Sequence, residues 1–327
     1  MDTVVRPATP PSRLTADRPA IADAGFRMLT LASGLLVLVI LALIAVSSTK
    51  SALPAFRHEG IGFLISRTWN PGAGKFGALA FVFGTMVTSC IALVVGVPVS
   101  IGIALVLTDL APLWLRKPII YVVDLLASIP SVVYGLWGVL VLSDKINRQY
   151  GHIDHALRHV PVANTLFSGG QHTGKSLLTA GLVLALMIIP IVTSLTREVF
   201  ATVPQAQKEG ALALGATRWE MIRGSVLPYG RSGVVGAVML GLGRAMGETI
   251  AVALLIGSSP QITAHLFRSG DSMAGVIANT FGESQRGSTY QAALIGLGVV
   301  LFAITIVVNL GARAVLAGSE RRLGTAP

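Results

Sequence analysis

Hydrophobic positions in this chain neither alternate as in a strand nor recur at the spacing of a soluble helix. They fall into long runs separated by polar stretches. The runs are about Met28–Ser48, Phe76–Leu107, Pro118–Leu142, Leu177–Thr196, Gly233–Gly257 and Tyr290–Leu316. Each reaches the roughly 20 residues that a helix needs to cross a bilayer. The pattern predicts an all-α polytopic membrane protein with six transmembrane helices. Pro98, inside the second run, predicts a kinked and tilted helix. The first run is longer than the roughly 7–15 apolar residues of a signal peptide, and a long tail precedes it, so it reads as an uncleaved span.

Between the fourth and fifth runs lies a far more polar stretch, 198–228. Pro204 suits the first position of a helix. Gln205–Leu214 continue it with good helix formers, and Gly215 suits the left-handed residue that ends it. Thr217 can cap a second short helix, with Glu220 as its capping-box partner three residues on. Pro228 closes a helix–turn–helix set between two spans.

Composition agrees: 12% of residues are charged and the mean hydropathy is +0.72, where soluble domains carry about 25% charge. The net charge of +10 is spread over loops and tails without interleaved aromatics, which excludes a nucleic-acid surface. Positive-inside topology explains it better. Placing 198–228 inside puts Arg197, Lys208, Arg218, Arg223 and Arg231 there, with both tails, 1–25 (disordered) and 317–327. The bias is modest, because the outer loops 49–75, 143–176 and 258–289 carry basic residues too. Cys90 lies in an apolar run and is expected to pack in the core.

The fifth run contains charge: Arg244 and Glu248, four apart, share a face of a continuous helix. Charges inside a span must face protein or water. A guanidinium fork suits an oxyanion, and the glutamate can neutralise it when the path is empty. A structural ion pair that fixes helix packing fits the spacing equally well. Gly243 and Gly247 allow another helix to approach closely.

Glu209, Ala211, Gly215, Leu227 and Pro228 match, at the right spacing, the EAA loop of ABC-importer permeases. Gly210 stands where that pattern has a second alanine, and Ser225 where it usually has isoleucine. The Gly243–Val252 stretch, Ser128–Gly138 and Ala211–Glu220 further resemble phosphate-importer permeases. The resemblance covers about residues 76–316 and is nearer the PstC type than the PstA type, since Ile250-Ala251 stand where the latter has Ala-Pro.

That resemblance implies a type I ABC importer permease core and no covalent chemistry. It implies that Glu209, Gly210, Ala211, Gly215, Thr217, Leu227 and Pro228 serve a coupling helix docked in an ATPase groove. Arg244 and Glu248 carry over as the substrate-path pair, with Ser128, Ser131 and Tyr134 as weaker candidates. Partners would be a PstA-type second permease, a PstB-type ATPase dimer carrying ATP and Mg²⁺, a PstS-type external phosphate-binding protein, phosphate and membrane lipid. The chain would bind no cofactor, metal or nucleic acid itself. It would sit in the bacterial inner (cytoplasmic) membrane as a multi-pass protein with both termini cytoplasmic. The PstA-type subunit, or a permease for molybdate or sulfate, remain the alternatives.

Two patterns look sharper than they are. Gly169–Ser176 matches a P-loop literally, but no strand precedes it and a span follows. His152, His155 and His159 would share a helix face, where a zinc site is conceivable but a solvated amphipathic surface helix explains them better. Asp124 in the third run reads equally as a path residue or a structural cap.

Overall fold

Helix α1 (Ile21–Glu59) extends past the expected first span at both ends. The computed structural model describes residues 21–149, 166 and 174–322. Residues 1–20, the three loop histidines and residues 169–173 of the P-loop-like stretch lie outside the described residues. The chain divides into two compact units after Ser47. In the first, α1 is helical from Ile21, inside the expected tail, and exposes apolar side chains such as Leu35 and Leu38, as suits a helix solvated by lipid.

The second unit opens with the end of α1, the short helix α2 (Gly62–Ile65) and a two-residue hairpin. Strands β1 (Trp69–Asn70) and β2 (Lys75–Phe76) pair antiparallel, Trp69 opposite Phe76. Trp69 lies edge-on to Phe81 at 5.0 Å and packs against the cluster that holds Phe63, Phe76 and Leu297. Helix α3 (Leu79–Leu105) runs on into a π-helical turn, Val106–Leu110.

The third expected span, 118–142, is not one helix. Helix α4 (Leu113–Ser128) and the segment starting with α5 (Ser131–Trp137) meet at 92°. Pro130 is the reason: the residue before a proline is forced out of helical geometry, and Ile129 takes φ −67°, ψ 128°. Helix α6 (Leu177–Ala201) follows, then α7 (Gln205–Ala213), α8 (Arg218–Met221) and a π-helical stretch, Ile222–Val226.

The fifth expected span is also divided. Helix α9 (Leu227–Gly247) stops, Glu248 is extended at φ −68°, ψ 129°, and α10 (Ile250–Ile256) restarts. Helices α11 (Met273–Thr280) and α12 (Thr289–Arg322) complete the unit. The expected tail from 317 is helical through Arg322. Among the described residues, five helices are long and apolar enough to cross a membrane, six if α4 and the segment after it count as one bent span.

Helix α6 is the axis of the core. Leu184, Ile188 and Val192 are buried among Ala92 of α3, Ala237 of α9 and Leu255 of α10. A Cβ on Gly181 would lie 2.6 Å from the Ile91 side chain, so only glycine allows α3 and α6 this close. Likewise α5 rests on α10 through Gly135, where a Cβ would come within 2.8 Å of the Ala251 Cα. Cys90, expected in the core, is exposed on α3, because the helix turns that face away from α6.

The first amides of α6 would be orphans at a helix start. Ser176 Oγ accepts from the Thr179 amide, and the Arg268 and Leu266 carbonyls accept from Leu177 (3.1 Å) and Leu178 (2.9 Å). The serine that ends the P-loop-like stretch is thus a helix cap. In the same loop, outside the membrane-crossing helices, Asp271 is buried and accepts from the Ser272 amide at 2.8 Å. Burial pushes its carboxyl up to about 6, the amide offsetting part of the rise.

Two measurements test this packing. Gly135→Val should lower the thermal midpoint of the detergent-solubilised chain, since overpacking costs about 1–3 kcal/mol. Gly243→Ala, with open space around its Cα, should leave that midpoint unchanged. For Asp271 the folded pKa is raised, so its charge opposes folding once pH exceeds the unfolded value of 3.8, and fully so above about 6. Asp271→Asn keeps the acceptor and should raise the midpoint at pH 7.5, by at most about 3 kcal/mol of stability. The gain should vanish as pH falls towards 4.

Candidate functional site

Two groups of predicted residues form two separate sites. The first is the polar loop. Pro204 stands just before α7 as its N-cap residue rather than inside it (φ −56°, ψ 129°). Gly215 takes φ +86°, and the turn closes with Gly215 N donating to Leu212 O (3.0 Å) and Ala216 N to Ala211 O (3.1 Å). These are the two bonds of a Schellman stop. Thr217 then caps α8. Its Oγ1 accepts from the Glu220 amide (3.3 Å), and Glu220 Oε2 accepts from the Thr217 amide (2.7 Å), a complete capping box.

This turn leaves an unusual surface. Glu209 and Gly210 are exposed, nothing lies near the Gly210 Cα, and Leu214 is 92% exposed. Among the described residues Glu209 Oε1 accepts from Gln205 Nε2 of its own helix (3.1 Å). Ala211 and Leu227 turn inward onto a cluster of Phe200, Met221, Ile222 and Val226. Pro228 begins α9. A cleft of about 830 Å³ opens beside Gly210, Ala211 and Pro228. Small exposed side chains, an exposed leucine and a carboxylate make a helix surface able to seat in a groove.

On the other side of α7, away from this surface, lie two residues whose meeting the sequence did not signal. Lys208 Nζ meets Asp109 Oδ1 at 2.7 Å, and both side chains are nearly buried. The partners are 99 positions apart, so no local spacing signals them.

The second site lies at the two helix breaks. Arg244 is in the last turn of α9 and exposed. Glu248 does not share its helix face, because the helix ends between them. Glu248 Oε1 instead accepts from the Ala251 amide (3.3 Å), capping α10. Among the described residues Arg244 forms no ion pair. It borders a groove of about 750 Å³ between α9 and α12, with Gly236, Gly243, Asn309 and Arg313. Asn309 and Arg313 were missed, because the polarity of a helix end is ambiguous in sequence.

Tyr134 bridges the other break: its hydroxyl donates to the Leu126 carbonyl at 2.9 Å. Ser128 Oγ donates to the Leu125 carbonyl of its own helix (2.7 Å), and Ser131 opens α5. Neither serine borders the Arg244 groove. Asp124 is exposed on α4.

The chain matches the family model described as binding-protein-dependent transport system inner membrane component over residues 96–324. It is 43% identical over 320 residues to a phosphate transport system permease protein PstC of Mesorhizobium japonicum, covering 97% of each chain. It is 45% identical to a protein of the same name from Xylella fastidiosa (94% of each) and 42% identical to that of Haemophilus influenzae (91% of this chain, 94% of that one). Its fold resembles a chain of a bacterial ABC transporter involved in alginate import (17% identical, TM-score 0.51, 88% of this chain and 96% of that one). It also resembles a chain of the inward-facing MetNI methionine ABC transporter (17% identical, TM-score 0.50, 74% and 94%). With a model matched over most of its length and relatives this similar end to end, the chain belongs to the family of binding-protein-dependent transport system inner membrane components.

Proposed function

We propose that this multi-pass membrane protein is the PstC-type permease subunit of an ATP-driven phosphate importer, forming half of the transmembrane path. It is a transporter subunit and not an enzyme. The observation that carries the reading is Arg244, a cation in the last turn of a span that forms no ion pair among the described residues, in a chain 42–45% identical to proteins named as phosphate transport permeases. An unpaired charge in a span requires water or a ligand to solvate it. A guanidinium facing a groove suits a doubly charged oxyanion. The relatives reported above are of the PstC type, so they favour neither the PstA-type alternative nor a molybdate or sulfate permease.

The remaining parts follow from that reading. A second, PstA-type permease faces the exposed side of α9 and α12. A pair of PstB-type ATPases, holding ATP and Mg²⁺, takes the α7 helices of both permeases into its grooves. A PstS-type binding protein delivers phosphate from outside. The protein sits in the bacterial inner membrane with both termini and the α7 loop on the cytoplasmic side. Closure of the ATPases draws the α7 helices together and opens the path outward. Arg244 supplies the counter-charge as phosphate loses water. Glu248 holds the break open by capping α10, and Tyr134 holds the break opposite.

Uptake of labelled phosphate by the complete importer in proteoliposomes tests the path. Arg244→Gln should cut uptake at least about tenfold, the loss of one charged hydrogen bond of roughly 1.5–3 kcal/mol. Glu248→Gln keeps an oxygen for the Ala251 amide and should stay within a few-fold of the parent. Unchanged uptake by assembled Arg244→Gln would remove Arg244 from the path.

The coupling role has its own test. Gly215→Val places a β-branched residue at φ +86°, at a cost of roughly 1–2 kcal/mol. Glu209→Lys reverses the exposed charge. Both complexes should insert normally yet lose uptake. Parental uptake in both would detach α7 from the ATPase.

A further inference from the structure

We infer that the Asp109–Lys208 ion pair is a strut that carries the displacement of α7 to the end of α3; the inference rests on the coupling role proposed above for α7. The ion pair lies beside an apolar contact between the same elements: Ala104 and Leu105 at the end of α3 pack with Met221 and Ile222, and Ala211 of α7 rests on that cluster. Lys208 is on α7, which packs on the turn after it, through α8 and Ile222–Val226. Asp109 lies in the π-helical turn that ends α3. A polar cleft of about 600 Å³ runs between these elements, bordered by Thr108, Asp109, Gln205, Lys208 and Leu212. Across it the Lys208 Nζ–Asp109 Oδ1 contact is 2.7 Å.

Each partner is fixed rather than mobile. The Lys208 side chain is 11% exposed and that of Asp109 is 7% exposed, so neither charge can be solvated well without the other. The second carboxylate oxygen, Oδ2, accepts from Thr108 Oγ1 at 2.9 Å, which fixes the carboxylate plane. Arg116, a nearby competing cation, is engaged by the Ala111 carbonyl at 2.9 Å. A π turn marks a place where helical hydrogen bonding is strained, and such turns recur at functional sites. Here it places the acid at the lip of the cleft.

The mechanical consequence follows from the packing of α3. That helix lies along α6, the axis of the core, and Ser100 Oγ donates to Ile189 O of α6 at 3.2 Å. A pull on Asp109 is thereby a pull on the core. Asp109 and Lys208 are positioning residues: they touch neither phosphate nor ATP. The pair is the charged link beside that apolar contact, so its loss should weaken the transfer of α7 motion to the spans without preventing ATPase docking, which in the proposed reading uses the opposite, exposed face of α7.

The test is the number of phosphates imported per ATP hydrolysed, measured on the complete importer in proteoliposomes for the parent, Lys208→Met, Asp109→Asn and the exchanged pair Asp109→Lys with Lys208→Asp. The single variants should keep the parental basal ATP hydrolysis and lose about tenfold or more of import per ATP, as expected when one partner of a buried pair is removed. The exchanged pair should recover most of the lost import. A merely structural pair would change yield and thermal midpoint and leave import per ATP at the parental value, and that result would overturn the strut. If the single variants fail to assemble, the exchanged pair decides: recovered import per ATP supports the strut, and an assembled but uncoupled complex overturns it. Failure of all three to assemble would assign the pair to folding alone. If the parent complex itself shows no ATP-dependent phosphate uptake, the proposed function fails, which is a different outcome from a working parent with unaffected variants.

Discussion

The structure depends on one constraint: within hydrocarbon, every backbone amide and carbonyl must find its partner inside the chain. Long helices meet that demand by themselves. A break does not, and among the described residues such breaks fall at Ile129–Pro130, inside the bent span, and at Glu248–Thr249, where the long helix α9 ends. Each is made tolerable by a side chain. Tyr134 donates to the Leu126 carbonyl at the first, and Glu248 accepts from the Ala251 amide at the second. The second halves then support each other through the close approach of Gly135 and Ala251. What remains over is Arg244, whose expected partner is occupied with a helix end. Among the described residues Arg244 forms no ion pair, because the backbone claimed its neighbour.

Local chemistry was legible in the sequence. The Schellman stop at Gly215, the capping box of Thr217 and Glu220 and the apolar runs each depend on residues within a few positions of one another. The break at Pro130 was equally written there, and was overridden because the run around it is so apolar that it reads as one span. The break after Gly247 had a weaker signal. No proline marks it, and a glutamate four residues after an arginine looks like an ion pair until the backbone between them is seen to be extended.

What could not be read was everything set by distance along the chain. The Lys208–Asp109 contact joins positions 99 apart, and the α9–α12 groove brings Arg313 and Asn309 towards Arg244. A single sequence shows that such residues are polar but not which of them meet. Cys90 shows the same limit from the apolar side. Its run says that it is in a helix in the membrane, but which face turns to lipid and which to α6 is decided by the packing of α3.

Leu214 gives the arrangement a meaning for assembly. A leucine 92% exposed at the tip of a polar loop is bare apolar surface in water, on a turn too well capped to fold it away. The capped turn thus holds an apolar side chain out in the water around the loop, on the helix surface proposed above to seat in a groove. Any surface that seats on this tip takes a leucine side chain out of water, so contact there carries a hydrophobic gain fixed in advance by the turn.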